Sequence, residues 1–333
     1  MLSLSRLAVP LLLVGAAIGF GSFVWQRSVA PTVAALTIAI PTQMSTGTVF
    51  VARDKGYFSR QQLAVTVQPF TLGKQALQSV LDDKADLALV ADVPFMFARA
   101  RGEPIAVVAT VFASRQTMAL LGRRDRGIGA PRDLAGKTLG TATGTNAQYF
   151  LDKLLAIHAI PDTAIKIVAL DPAQFAEALR SGQVDALTTW NPLLSRIQDE
   201  HGPNATVMME PDMFVYRFVL VGKKRFLDAH PESVRRALAA LADAVATIHD
   251  RPADAQALIA RSIGLQPQQL AASFRASDYA LSLDQSLLLS LDDQTRWAMK
   301  RGLIPAGKVP NYLDAIDVRP LSLMQPAAIK LIR

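Results

Sequence analysis

Hydrophobic positions between residues 36 and 222 follow two rhythms in turn. Short apolar runs predict strands at 36–40, 63–67, 87–90, 105–110, 137–142, 165–170, 185–189 and 217–222. Apolar residues three and four apart predict helices at 73–81, 93–101, 148–158 and 172–180. The third of these puts Phe150, Leu151, Leu154, Leu155 and His158 on one stripe. In Asp54-Lys55-Gly56-Tyr57-Phe58 the glycine ends a short helix as a left-handed cap, and Gly102 follows the 93–101 helix. Alternation of this kind predicts an α/β fold of mostly parallel sheets flanked by helices. Beyond residue 222 the pattern is helical. Pro231, Pro252 and Pro267 each open a helix, and Gly302 closes a fourth over 283–301.

One arrangement recurs. Lys84-Ala85-Asp86-Leu87-Ala88 leads from a helix end through an aspartate into a strand and reaches Asp92-Val93-Pro94. Gly182-Gln183-Val184-Asp185-Ala186 does the same and reaches Trp190-Asn191-Pro192. Helix–Asp–strand joints occur in any α/β chain, but the pair also suits two similar lobes that each offer a strand-end loop to a shared cleft.

The N-terminus follows neither rhythm. Arg6 precedes an uncharged, mostly apolar run over 7–25, closed by Gln26 and Arg27. The run exceeds the ~7–15 residues of a secretory h-region and approaches the ~20 of a membrane-spanning helix. Ser28-Val29-Ala30 resembles a cleavage site, yet Pro31 follows it directly. Two readings stand, an uncleaved anchor and a cleaved signal peptide. Both send the remainder across a membrane, to a periplasmic or other extracytoplasmic place, and the first ties it to the inner membrane through 7–25.

Composition narrows the chemistry. The chain of 333 residues has 35 Lys+Arg against 28 Asp+Glu, a formal charge of +7. The excess sits at the ends: Arg6 and Arg27 face no acid, and Lys300, Arg301, Lys308, Arg319, Lys330 and Arg333 outnumber Asp314 and Asp317. A nearly neutral body between them lacks the basic face with interleaved aromatics that nucleic acid requires. The absence of cysteine excludes disulfides, Cys-ligated metals, a thiol nucleophile and a lipidated N-terminal Cys. His158, His201, His230 and His249 show no metal-binding spacing, and no GxSxG elbow occurs, so no catalytic or metal residue and no cofactor is expected.

Gly140-Thr141-Ala142-Thr143-Gly144-Thr145-Asn146 follows a strand but lacks the Gly-Lys-Ser/Thr of a P-loop and the third glycine of a dinucleotide fingerprint. It opens a helix, where free backbone N–H groups and the Thr145 hydroxyl suit an anionic or strongly polar group; Thr145 or Asn146 equally suits an ordinary N-cap. Trp190 with Asn191 offers a flat apolar wall and an amide, or a core tryptophan.

Several segments in order resemble the substrate-binding proteins of ABC transporters in the nitrate/sulfonate/taurine and thiamine-pyrimidine-precursor group. They are Phe50-Val51-Ala52-Arg53-Asp54-Lys55-Gly56-Tyr57-Phe58, Gly73-Lys74-Gln75-Ala76-Leu77 and Lys84-Ala85-Asp86-Leu87-Ala88. Pro131-Arg132-Asp133-Leu134-Ala135-Gly136-Lys137-Thr138-Leu139-Gly140, the Gly182–Ala186 segment, Trp190-Asn191-Pro192 and His230-Pro231-Glu232 complete the set. The resemblance covers about residues 36–250. It implies a two-lobed type II periplasmic-binding fold with a helical C-terminal extension. Lobe one would take 36–120 and 216–333, lobe two 121–215, after an N-terminal segment 1–33, with crossover strands near 117–123 and 217–223. By the same resemblance Gln43, Asp92, Thr145, Asn146, Trp190 and Asn191 would contact ligand, with Ser114 and Tyr216 near the hinges.

The implied function is a monomeric, non-enzymatic receptor that delivers a small polar or anionic solute, such as a sulfonate, taurine, a nitrate-like anion or a pyrimidine, to an ABC permease. A carboxylate at Asp92 would favour a ligand with an amino group or a hydrogen-bonding heterocycle. The alternatives are a membrane-anchored ligand-sensing domain and a same-fold small-molecule lyase. The enzymatic pyrimidine-synthesising relatives use a cysteine-rich motif that this chain cannot carry.

Overall fold

A computed structural model describes residues 33–332. The apolar run 7–25, with Arg6 and Arg27, lies outside the described residues. Among the described residues no helix is long and apolar enough to cross a membrane.

In chain order the first part comprises β1 (Ala34–Pro41), α1 (Gly47–Asp54), α2 (Tyr57–Arg60), β2 (Leu63–Phe70), α3 (Gly73–Leu81), β3 (Leu87–Ala91), α4 (Asp92–Ala100) and β4 (Ile105–Ser114). The second comprises β5 (Met118–Arg123), β6 (Thr138–Thr141), α5 (Asn146–Ile157), β7 (Lys166–Ala169), α6 (Phe175–Ser181), β8 (Ala186–Trp190), α7 (Leu193–His201) and β9 (Ala205–Met208). The chain then returns through β10 (Tyr216–Lys223) to α8 (Lys224–Ala229), α9 (Pro231–Asp250), α10 (Pro252–Ser262) and α11 (Pro267–Arg275). It ends with β11 (Ser277–Asp278), β12 (Leu283–Asp284), α12 (Gln285–Lys300), α13 (Arg319–Ser322) and β13 (Ile329–Lys330).

Two sheets organise these elements, ordered β11-β4-β10-β3-β1-β2 and β7-β6-β8-β5-β9, while β12 and β13 form a separate parallel pair. Both larger sheets are mixed rather than mostly parallel. The triplets β2-β1-β3 and β7-β6-β8 are parallel, as right-handed strand–helix–strand units require. β10 runs antiparallel to β3 and β4, and β5 runs antiparallel to β8 and β9. β5 and β10 are the strands that receive the chain as it crosses between the sheets, and each enters against its neighbours' direction. The crossings fall at 115–117 and 209–215. The 117–123 strand expected at the first crossover therefore belongs to the second sheet.

The apolar runs β3, β4, β5 and β8 are buried along nearly their whole length, as strands covered on both faces should be. On α5 the residues Phe150, Leu151, Leu154 and Leu155 are buried, each contributing about 1.5–3 kcal/mol through lost apolar exposure. His158 departs from that stripe. It sits at the helix C-cap, exposed, with Nε2 2.9 Å from Glu210, because the helix ends before its ring can turn inward. Gly56 (φ 71°) and Gly182 (φ 78°) take the left-handed conformation at helix ends, where a Cβ would be strained.

The recurrent aspartates have one job. Asp86 Oδ2 accepts the backbone N–H of Thr37 at 2.7 Å, and its own N–H donates to Thr37 O at 3.0 Å. Asp185 Oδ2 accepts from Thr138 N at 2.9 Å, and its N–H donates to Thr138 O at 2.8 Å. Each residue therefore staples the start of its strand to the neighbouring parallel strand, at Thr37 within β1 and at Thr138 opening β6, fixing the register of β3 on β1 and of β8 on β6. Asp185→Ala leaves the half-buried Thr138 N–H without a partner and is expected to lower unfolding stability by about 1–3 kcal/mol, whereas Asp185→Asn keeps the acceptor and most of the stability. Urea unfolding of the two variants checks this; equal stability of Asp185→Ala and wild type would contradict it.

Candidate functional site

Parallel triplets point the carboxyl ends of their strands, and the N-termini of the following helices, toward the gap between the sheets. A narrow cavity of about 360 Å³, counting its open mouth, lies in that gap. Its walls include Gln43 after β1, Leu72, Gly73 and Lys74 at the start of α3, Ala91 and Pro94 at the start of α4, and Met118 at the start of β5. Thr145, Asn146 and Ala147 at the start of α5, Trp190 at the end of β8, and Tyr216 and Phe218 on β10 complete it.

Three helix N-termini therefore meet at one cavity. α3 begins at Leu72 with no side-chain cap, while Gln75 and Ala76 return their N–H groups to Leu72 O. The partial positive charge of such termini, together with the Lys74 ammonium, favours an anion. Among the described residues no carboxylate lines the wall. Tyr216 is buried, with Gln43 and Ser45 beside its hydroxyl; burial first, then the nearby Asp92 charge, pushes its pKa far up, so the phenol stays a hydrogen-bond donor. Trp190 is buried with its ring edge-on to Phe175, and its position at the cavity wall makes it both a core tryptophan and a lining one.

Of the eight residues expected from sequence, Gln43, Thr145, Asn146, Trp190 and Tyr216 come together on this wall. Thr145 is also the N-cap of α5: its hydroxyl accepts from Ala147 N at 3.1 Å and donates to Ala142 O at 2.7 Å. The other three lie off the wall. Asp92 is fully buried behind Asn146, where Asn146 Nδ2 donates to Oδ1 at 2.6 Å, Gln294 Nε2 to Oδ2 at 2.8 Å and Val93 N to Oδ1 at 3.1 Å. Asn191, joined to Pro192 by a cis peptide, donates from Nδ2 to Ser273 Oγ and accepts from Ser195 Oγ at 2.7 Å. Ser114 Oγ donates to Ala276 O at 3.1 Å and accepts from Gln116 N. These side chains have spent their hydrogen bonds on joining elements.

Lys74 was not among the expected residues, although Gly-Lys directly opens a predicted helix, which is the available signal for a cation at a helix N-terminus. Met118, Leu72 and Phe218 are also new, and apolar residues at strand ends carry no distinguishing pattern.

The α11 and α12 helices span the gap on both flanks of the cavity. On one side Asp152 of α5 accepts from Trp297 Nε1 and from Arg301 Nε and Nη2, each at 2.8 Å. Tyr149 donates to Asp293, and Lys153 Nζ lies 2.7 Å from the same carboxylate. On the other side Arg196 of α7 donates to Ile263 O and Gly264 O, and Gln269 Nε2 donates to Asp199 at 2.7 Å.

Two steps place the chain among known proteins. Its fold is that of the periplasmic binding proteins: the alkanesulfonate-binding protein SsuA from Xanthomonas axonopodis pv. citri, bound to MOPS, superposes with a TM-score of 0.74 at 20% identity, covering 87% of this chain and all (100%) of that one. The desulfurization enzyme DSZB shares the fold too, with a TM-score of 0.66 at 16% identity over 87% of this chain and 98% of its own. By sequence the chain belongs to the NMT1/THI5 like family, which matches residues 43–255. A relative from Bacillus subtilis (strain 168), provisionally named an aliphatic sulfonates-binding protein, is 28% identical over 206 residues. That match spans 60% of this chain and 62% of the relative.

Burial, the largest influence, raises the Asp92 pKa above the ordinary 3.8, against the lowering effects of Asn146, Arg217 and Gln294. Folded protein then holds more protons than unfolded protein between the two pKa values, so this group's contribution to stability falls as pH rises through that window. Asp92→Asn removes the titration and can hydrogen-bond both amides if the Gln294 amide turns over. Its melting temperature relative to wild type is expected to rise as pH increases above the ordinary carboxylate range. A difference that stays constant as pH increases would contradict the assignment.

Proposed function

We propose that this protein is the solute-binding receptor of an ABC importer, acting outside the cytoplasm as a monomer, and that its solute carries a small oxyanion head, with sulfonate favoured. The observation that carries the reading is the convergence of the α3, α4 and α5 N-termini and Lys74 on a cavity with no carboxylate in its wall. The names of the Bacillus relative and of the Xanthomonas structure point to the same solute class. With Asp92 turned away behind Asn146, the reason to expect an amino group on the solute disappears. Trp190, Met118, Leu72 and Phe218 supply the apolar side of the cavity, suited to the carbon attached to the head.

The lobes of this receptor are the layers built on the two sheets, the first running to about residue 114 and again from 216, the second from 118 to about 208, with the crossings as hinges. Binding without turnover fits the residues present. The chain has no cysteine, and none of the four histidines lines the cavity. Three of them are engaged elsewhere: His158 Nε2 lies 2.9 Å from Glu210, His201 Nδ1 3.0 Å from Ile197 O and His249 Nε2 2.8 Å from Tyr279 O. An N-terminal segment that either anchors the protein or is removed on export would leave the receptor beside its permease or free in the periplasm.

Calorimetric titration with short alkanesulfonates tests the reading. Lys74→Gln is expected to weaken binding about tenfold, equivalent to about 1.4 kcal/mol, and to flatten its dependence on salt. Trp190→Ala is expected to weaken binding by a similar factor through lost apolar contact, with the salt dependence unchanged. Wild type that ignores sulfonates, or a Lys74→Gln variant of unchanged affinity, sinks the oxyanion assignment; chemical conversion of the bound solute sinks the non-enzymatic one.

A further inference from the structure

Lys74 and Pro94 line a second, larger space that continues from the mouth of the cavity. This outer groove measures about 1050 Å³, counting its open side, and runs between α3, α4 and the loop before α5. Its walls divide into two chemistries. Leu77, Leu81, Phe97 and Leu303 form an apolar side, on which Leu303 stays 40% exposed. Polar groups are supplied by Gln75, Gln78, Gln148 and Thr143, but the side-chain carbonyls of Gln75 and Gln148 already accept from Leu72 N and Gly144 N, and Gln78 donates to Asp82.

Arg101 stands at this groove, exposed, at the C-terminal end of α4. Among the described residues its guanidinium has neither a carboxylate partner nor a hydrogen bond, and Lys74 has only Thr143 O at 3.5 Å. Among the described residues no acid lines the groove. Arg101 is remote from the α4 N-terminus that faces the inner cavity, so one ligand head cannot use both ends of that helix.

We propose that the solute is two-ended: its oxyanion head sits in the inner cavity, an apolar stem lies along Leu77, Phe97 and Leu303, and a second anionic group meets Arg101 in the outer groove. This rests on the oxyanion reading of the inner cavity and narrows its substrate class. A guanidinium fork suits the paired oxygens of a sulfonate or carboxylate, and an apolar wall between two cationic ends rejects short or purely polar anions by leaving the stem side wet.

Calorimetry on the full chain compares alkanemonosulfonates with α,ω-alkanedisulfonates of about four to eight carbons, for wild type and Arg101→Gln. At the chain length that spans the groove, the disulfonate is expected to bind wild type about tenfold more tightly than the monosulfonate. Arg101→Gln is expected to erase that advantage while leaving monosulfonate affinity within about twofold. Monosulfonate binding with no gain from a second sulfonate at any length overturns this inference alone, as does an Arg101→Gln variant that weakens both series equally. Binding of neither series overturns the oxyanion reading and this inference with it.

Discussion

The Asp92 carboxyl is the point on which the two layers of the molecule converge. It is fully buried, and an ionised group there is costly unless its oxygens are satisfied. The satisfying amides come from Asn146 at the start of α5 and Gln294 in the middle of α12. One residue just after the first sheet's β3 therefore fixes both the first helix of the second layer and the long helix α12. Moving any of the three apart would leave a buried acceptor without a donor, which is a far steeper penalty than the loss of an ordinary surface contact. Asn146 in turn lines the cavity, so the polarity of the site is set by a group that never touches it.

This arrangement settles an electrostatic conflict. An aspartate at a strand end beside an anion site looks self-defeating, and from sequence it argues for a cationic group on the ligand. In the folded protein, burial biases Asp92 toward its neutral form, and Asn146 stands between it and the cavity. Burial above all holds the Tyr216 hydroxyl protonated, and any charge on Asp92 acts in the same direction. A buried phenol thus stays available as a donor, and the field at the cavity is left to the helix termini and Lys74.

Much of the scaffold was legible because its signals are local. Proline at the opening of α9, α10 and α11 and glycine after α4 and α6 mark element ends by backbone restriction alone. The spacing of Asp86 and Asp185 recorded a real equivalence, since both make the same bond to the neighbouring strand. Strand direction was less legible, because hydrophobic periodicity carries no information on whether a returning strand pairs parallel or antiparallel. The site was legible in part for a related reason. Residue type placed Gln43, Thr145, Asn146, Trp190 and Tyr216 at strand and helix ends facing the gap, but nothing local distinguishes a polar side chain that faces a cavity from one that ties elements together. Asp92, Asn191 and Ser114 are of the second kind, and their partners Gln294, Ser273 and Ala276 lie far along the chain, in or just after the C-terminal helices.

Those helices also join the two layers of the molecule. Contacts between α12 and α5 and between α11 and α7 tie the two layers together independently of the cavity. Most of the charged pairs involved are half-exposed: the Lys153 and Asp293 side chains are 31% and 53% exposed, and Asp162, which meets Arg301, is 59% exposed. Such pairs contribute little each and yield readily to water. Asp152 differs, with its side chain 6% exposed and both oxygens committed to Trp297 and Arg301, so it fixes α12 against α5 more than the exposed pairs do. A junction between the layers built from one buried anchor and several weak pairs is specific in shape yet shallow in energy.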